Sequence, residues 1–207
     1  MRAGLVSSDS REILRWVGLV AMVGDHCAWA FLPGWWWLGM VGRISYPLFA
    51  WGCAEGLRTS SDRGAYLARL FGCGAVSQVG FCLVYGMGAN DLLCMCFGGL
   101  LVVVVESRRE WWPVIGASVV AGSHVHMVLM VPILFYFGED LLGASLLVWG
   151  VNLIFGGVGQ AWAVLALLIV WAVDGVKMAW RLPRWFNYGF YPGHLISIGL
   201  ARIWLGG

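Results

Sequence analysis

Charge is scarce in this chain. Asp, Glu, Lys and Arg together supply 12% of its 207 residues, about half the share found in an ordinary soluble domain. The net charge of +2 is too small to argue for a nucleic-acid partner. No polar stretch is long enough for a separate soluble domain, so residues 1–207 read as one domain. No internal repeat is visible, which speaks against a transporter built from inverted halves. Met1–Ser10 holds no short apolar core ending in a small-residue cleavage site. No cleavable signal is therefore expected, and the first apolar segment should be retained. The six cysteines are scattered. Cys94-x-Cys96 is not a redox spacing, and no disulfide framework is expected.

What fills the chain instead is apolar. Hydrophobic residues make up 60% of it, and the mean hydropathy is +0.80. Runs near the ~20 residues needed to cross a bilayer recur from end to end. Charged clusters at Arg2–Arg15, Arg58–Arg69, Glu106–Glu110, Glu139–Asp140 and Asp174–Arg184 separate them. The spans fall at about 12–32, 35–57, 66–86, 91–105, 111–122, 125–138, 141–156, 160–174 and 188–205. The expected fold is all-α, a polytopic integral membrane bundle of about nine transmembrane helices. Thirty glycines suit close helix approach in a membrane. Residues 111–138 could instead be one helix bent at Pro132. Nine spans are preferred because they keep every Lys/Arg cluster on one side. The positive-inside rule then puts the N-terminus in the cytoplasm and the C-terminus outside. Trp35-Trp36-Trp37 and Trp111-Trp112 suit interfacial belts.

Against this background Asp25-His26 stands out, an ionisable pair deep in the first span. Such residues are costly there, and they mark function more often than structure. Arg15 and His26 are eleven residues apart. Eleven steps of a helix return to nearly the same face, roughly 16 Å along the axis. Asp25 lies one step around and should meet a neighbouring helix instead. Arg43, at similar depth across the short Pro33-Gly34 turn, is the expected partner. Pro47 can kink the second span beside it. A neutral His26 suits a general base for an amine or hydroxyl. Arg15 suits a phosphate at the cytoplasmic mouth. A long donor with a phosphorylated head and a reactive far end, such as an acyl-coenzyme A, matches that stripe.

The pattern basic–ten residues–His, with Asp before the His, followed by Gly42-Arg43…Tyr46-Pro47-Leu48-Phe49, resembles the TraX family. These are polytopic pilin acetyltransferases of conjugative plasmids, a group that includes TrbP-type transfer proteins. Gln78, Asn90 and Tyr191-Pro192-Gly193-His194 are similar to further family positions. The likeness is dense over the first hundred residues, fair in the last span and thin from about 111 to 185. The first-span stripe is also similar to the wider membrane acyltransferase superfamily. The resemblance implies a multi-pass protein of the bacterial inner membrane, its C-terminus in the periplasm, with a pilin subunit and the lipid bilayer as partners. Acetyl-CoA would be the acyl donor and the pilin N-terminal amine the acceptor. His26 would take the proton, Arg43 would fix Asp25 or polarise the thioester, and Arg15 would hold the coenzyme. Tyr46, Gln78, Asn90, Tyr191 and His194 would contact substrate.

Other readings stay open at this point. Asp25-His26 with Arg43 could be a structural ion pair, Arg15 a snorkelling anchor, and Gln78 and Asn90 interhelical glue. Related pilin-terminus processing or sugar and lipid acylation would use the same stripe. An ion-coupled transporter could use Asp25 and His26 as a proton relay. His26 and His194 could ligate a haem, but the charged neighbours of His26 leave little apolar space, and neither haem nor metal is expected. His124-x-His126 has no nearby carboxylate in sequence to complete a metal site.

Overall fold

Each of the nine apolar segments is helical in the computed structural model, which describes residues 5–205 apart from Pro33 and Ala121. Arg2 and one half of the Pro33-Gly34 turn lie outside the described residues. Helix makes up 80% of the structure, and no strand occurs among the described residues, so the class is all-α. Helix α1 (Ser8–Phe31) starts where the Ser7 hydroxyl accepts from the Ser10 N–H at 3.0 Å, a side-chain cap that satisfies an otherwise orphan donor. Helix α4 (Arg63–Tyr85) is capped in the same way by Asp62, and α5 (Asp91–Glu106) by Asn90.

The second segment is divided. Helix α2 (Trp36–Gly42) stops at Arg43, and α3 (Ser45–Thr59) begins two residues later. Pro47 is the physical reason. Its ring clashes with the carbonyl four residues back and it offers no N–H to that carbonyl, and the residue four back is Arg43. The kink expected at Pro47 thus falls one turn earlier, beside Arg43. The 111–138 region holds two helices rather than one, α6 (Trp112–Val120) and α7 (Val125–Phe137). Pro132 lies inside α7. Helix α8 (Leu141–Gly156) follows, capped by Asp140. The segment at 160–174 is not one regular helix. It runs as α9 (Val158–Ala161), a 3-10 turn at Trp162–Val164, and α10 (Leu165–Ala172). Helix α11 (Arg184–Trp204) closes the order.

Among the described residues α4 is the one helix long and apolar enough by itself to cross a membrane. Helices α1 and α11 have comparable length, 24 and 21 residues, but carry polar and charged side chains. The apolar helices α7, α8 and Val158–Ala172 are shorter.

The larger part of the core lies between α3, α5 and α7, where Trp51, Leu57, Val102, Val128, Leu134 and Phe135 are buried. A smaller cluster of Met22, Val84, Tyr191, Leu195 and Ile198 joins α1, α4 and α11. Gly80 permits the second cluster. A Cβ there would stand 2.7 Å from the backbone nitrogen of Ile196, so only glycine lets α4 lie this close to α11.

Contacts gather the charged chain ends at one end of the bundle. Asp9 pairs with Arg181 at 2.8 Å, and Glu12 accepts from the Leu182 N–H at 2.6 Å. Arg63 pairs with Glu106. Deeper in, Glu55 and Arg58 form a buried pair at 2.7 Å. Glu55 also accepts from the Leu5 N–H at 2.9 Å. Arg58 donates to the carbonyls of Leu134 and Phe135 in the last turn of α7.

Candidate functional site

The opposite end of the bundle collects most of the expected site residues. His26 sits five residues before the end of α1, 5% exposed, on the face that meets α11. Its Nδ1 lies 2.8 Å from Nε2 of His194. The two rings are nearly parallel, at 3° with centroids 5.0 Å apart. Tyr85, at the end of α4, meets the His26 ring edge-on at 5.7 Å. His194 is held in turn from one helical step below. Its Nδ1 is 2.9 Å from the Phe190 carbonyl, and the Phe190 ring stacks on it at 5.1 Å. Pro192 sits within this turn and leaves the Tyr188 carbonyl without its helical donor. That carbonyl accepts instead from the Cys73 thiol of α4, at 3.3 Å.

A carbonyl can only accept, so the His194 Nδ1 carries a proton. Both ring nitrogens of His194 are thereby engaged within the protein. The direct bond at 2.8 Å also leaves no room for a haem iron between the two rings.

Asp25 turns the other way, as its position one step around α1 requires. It packs against α2, where a Cβ at Gly42 would stand 2.3 Å from the Asp25 Cβ. The absence of a side chain at Gly42 is what lets the carboxylate enter. Arg43 follows at the helix break, within electrostatic reach of Asp25. The two are not in ion-pair contact: among the described residues no carboxylate is within 4.0 Å of Arg43. The expected close pair is therefore an open one. Asp91, in the first turn of α5, also feels Asp25 and Arg43. Asp25, Arg43 and Tyr85 line a cavity of about 870 Å³, walled by Trp29, Trp35 and Trp36 and closed in part by Arg202. Arg202 itself donates to the Val84 carbonyl at 2.6 Å.

Arg15 lies toward the charged end of α1, about half exposed, paired with Glu12 at 3.0 Å. It is within electrostatic reach of Tyr66 on α4, the helix whose Tyr85 meets His26. Both members of the stripe thus side with α4.

The remaining expected residues hold the structure around the site. Asn90 donates to Gln78 at 2.9 Å and to the Gly74 carbonyl at 2.7 Å, while its oxygen caps α5. Gln78 donates to the Gly88 carbonyl at 2.6 Å. Tyr46 is buried and donates to the Met127 carbonyl at 2.8 Å, tying α3 to α7. The Tyr191 hydroxyl is buried without a hydrogen-bond partner. His126 is buried with an unpartnered Nδ1, its ring 5.5 Å from that of His124. Among the described residues no group of three or more His, Cys, Asp or Glu could hold a metal. The six cysteines are free.

Sequence reasoning missed Asp91, Tyr85 and Arg202. Asp91 follows a helix cap and reads there as an ordinary first-turn acid. Tyr85 and Arg202 give no local signal, since each reaches the site only through the packing of α4 and α11.

The family described as TraX protein matches residues 10–202, nearly the whole chain. No curated protein and no solved structure matches it.

Proposed function

The chain belongs to the TraX family, and we propose that it is a membrane-embedded acetyltransferase acting on the N-terminal amine of a conjugative pilin. The family is associated with conjugation and pilin processing. The observation that carries the finer reading is the His26–His194 bond, which occupies one nitrogen of His26 and leaves the other for chemistry.

In this reading residues 1–207 form one domain of the bacterial inner membrane, with the N-terminus in the cytoplasm and the C-terminus in the periplasm. Support comes from the alternation of the nine segments and from the basic residues gathered at one end. Large apolar side chains such as Val76, Val79, Ile154, Leu168 and Trp171 are exposed along the helices, where lipid would cover them. The charged end faces the cytoplasm and the histidine end the outer leaflet. Acetyl-CoA, a co-substrate, enters at Arg15, which exchanges Glu12 for a coenzyme phosphate. The pilin terminus enters the aromatic cavity, whose Asp25 carboxylate suits an ammonium; that ammonium releases its first proton to water at the cavity mouth. The neutral amine nitrogen then attacks the thioester carbonyl carbon. A C–N bond forms, the C–S bond breaks, and the amine proton passes through His26 to the departing thiolate. Arg43, free of a contact ion pair, is placed to polarise the carbonyl. Nucleic acid has no part in the reaction.

Purified protein incubated with labelled acetyl-CoA and a peptide of the pilin N-terminus should move label onto the peptide amine. Absence of acetyl-CoA binding in a thermal-shift assay overturns the acyl-transfer reading. Label appearing on a sugar or lipid, and not on the peptide, overturns the acceptor.

A further inference from the structure

We propose that His194 is a positioning residue that sets the tautomer of His26, holding its proton on Nδ1 and leaving Nε2 as the basic nitrogen. The proposal rests on the acyl-transfer reading for what Nε2 does, but not for where the proton sits.

Three links fix the protons in order. The Phe190 carbonyl accepts from His194, so the His194 proton is on Nδ1. Among the described residues no carboxylate lies within ion-pair distance of either ring. An imidazolium buried without such a partner is costly, so each ring carries one proton. The Nε2 of His194 then has only a lone pair to offer, and the 2.8 Å bond needs a proton from the other side. That proton is on Nδ1 of His26. Nε2 of His26 is left unprotonated, and it is the nitrogen that takes the amine proton during transfer and returns it to the thiolate. Without His194, nothing in contact with His26 selects one tautomer, and part of the population would present an N–H where a base is needed. The backbone carbonyl is the fixed origin of the chain, because it can neither rotate away nor donate.

The ring of His194 does two separable things: it accepts a hydrogen bond, and it stacks between Phe190 and His26. His194→Phe keeps the stack and removes the acceptor. His194→Gln keeps an acceptor near the position of Nε2 and removes the stack. His194→Asn keeps a group able to donate to Phe190 but too short to reach His26, and it serves if the Phe variant does not fold. Protein labelled with ¹⁵N-histidine and held in lipid nanodiscs reports the tautomer directly. The wild type should show a protonated Nδ1 and a bare Nε2 at His26. His194→Phe and His194→Asn should lose that preference, with kcat for acetyl transfer down roughly tenfold or more and both KM values little changed. His194→Gln should recover the tautomer and most of kcat. A proton on Nε2 of His26 in the wild type overturns the proposal. So does full activity of His194→Phe with failure of His194→Gln, which would make the stack the working feature. A raised acceptor KM at constant kcat would make His194 a substrate contact instead. If the wild-type protein transfers no acetyl group at all, the acyl-transfer reading fails, and the nitrogen spectra alone decide the tautomer.

Discussion

The two ends of this bundle use buried polar residues in opposite ways. At the charged end, Glu55 and Arg58 touch each other and fill their remaining bonding capacity with Leu5 and the last carbonyls of α7. At the histidine end, Asp25 and Asp91 lie within electrostatic reach of Arg43 without an ion pair to it, and Tyr191 has an unpartnered hydroxyl. Satisfied groups hold a structure together, whereas groups kept apart retain capacity for a ligand. The His26–His194 link at the second end occupies just one side of His26.

That contrast can be broken by substitution, starting with the largest effect. His26→Ala should lower acetyl transfer by roughly 10²–10⁴-fold, the worth of a positioned base, in a protein that still folds. Unchanged transfer by the folded variant would remove His26 from the chemistry. Arg58→Ala should do the reverse. It strands the buried Glu55 charge, and stability should fall by about 3–5 kcal/mol in thermal or denaturant unfolding. A small change there would mean that the charged end is not the structural end. Gly42→Ala tests the boundary between the two behaviours. The new methyl collides with Asp25, so a loss of about 1–3 kcal/mol from overpacking should come with reduced transfer. Arg15→Ala should raise KM for acetyl-CoA by roughly tenfold, in keeping with loss of a charge-assisted bond. A fall in kcat alone would refute the phosphate role. The smallest effect is expected at Arg181→Ala, whose exposed pair with Asp9 should be worth at most about 1 kcal/mol.

The sequence carried the helical segments because their length and apolar content are local properties. It also carried the divergence of Asp25 from His26, which follows from helical rotation alone. The break at Arg43–Ile44 was legible only as a kink, since Pro47 acts on the carbonyl four residues before it. Arg58 read as the start of a boundary cluster, and Glu55 was not singled out. Their burial depends on α7 supplying carbonyls from 76 and 77 residues away. His194 was found by likeness to a family and was set opposite His26 only in the haem reading; the direct bond between them was not foreseen. A bond across 168 residues leaves no trace in periodicity. It exists because Gly80 lets α11 lie against α4, and nothing near His194 in sequence announces that. Gln78 and Asn90 show the complementary case, in which polar residues of the kind that bind ligands are spent on each other.

The two histidines come from the first and last helices of the described chain. A ribosome making this protein delivers His26 early and His194 only after every intervening helix. Until then the early imidazole has no fixed proton and the late helix has no seat. The pair therefore forms only once α11 has been made. Premature termination anywhere before α11 yields a product without the pair. The bond between the two rings is a contact that only a chain carrying both α1 and α11 can make.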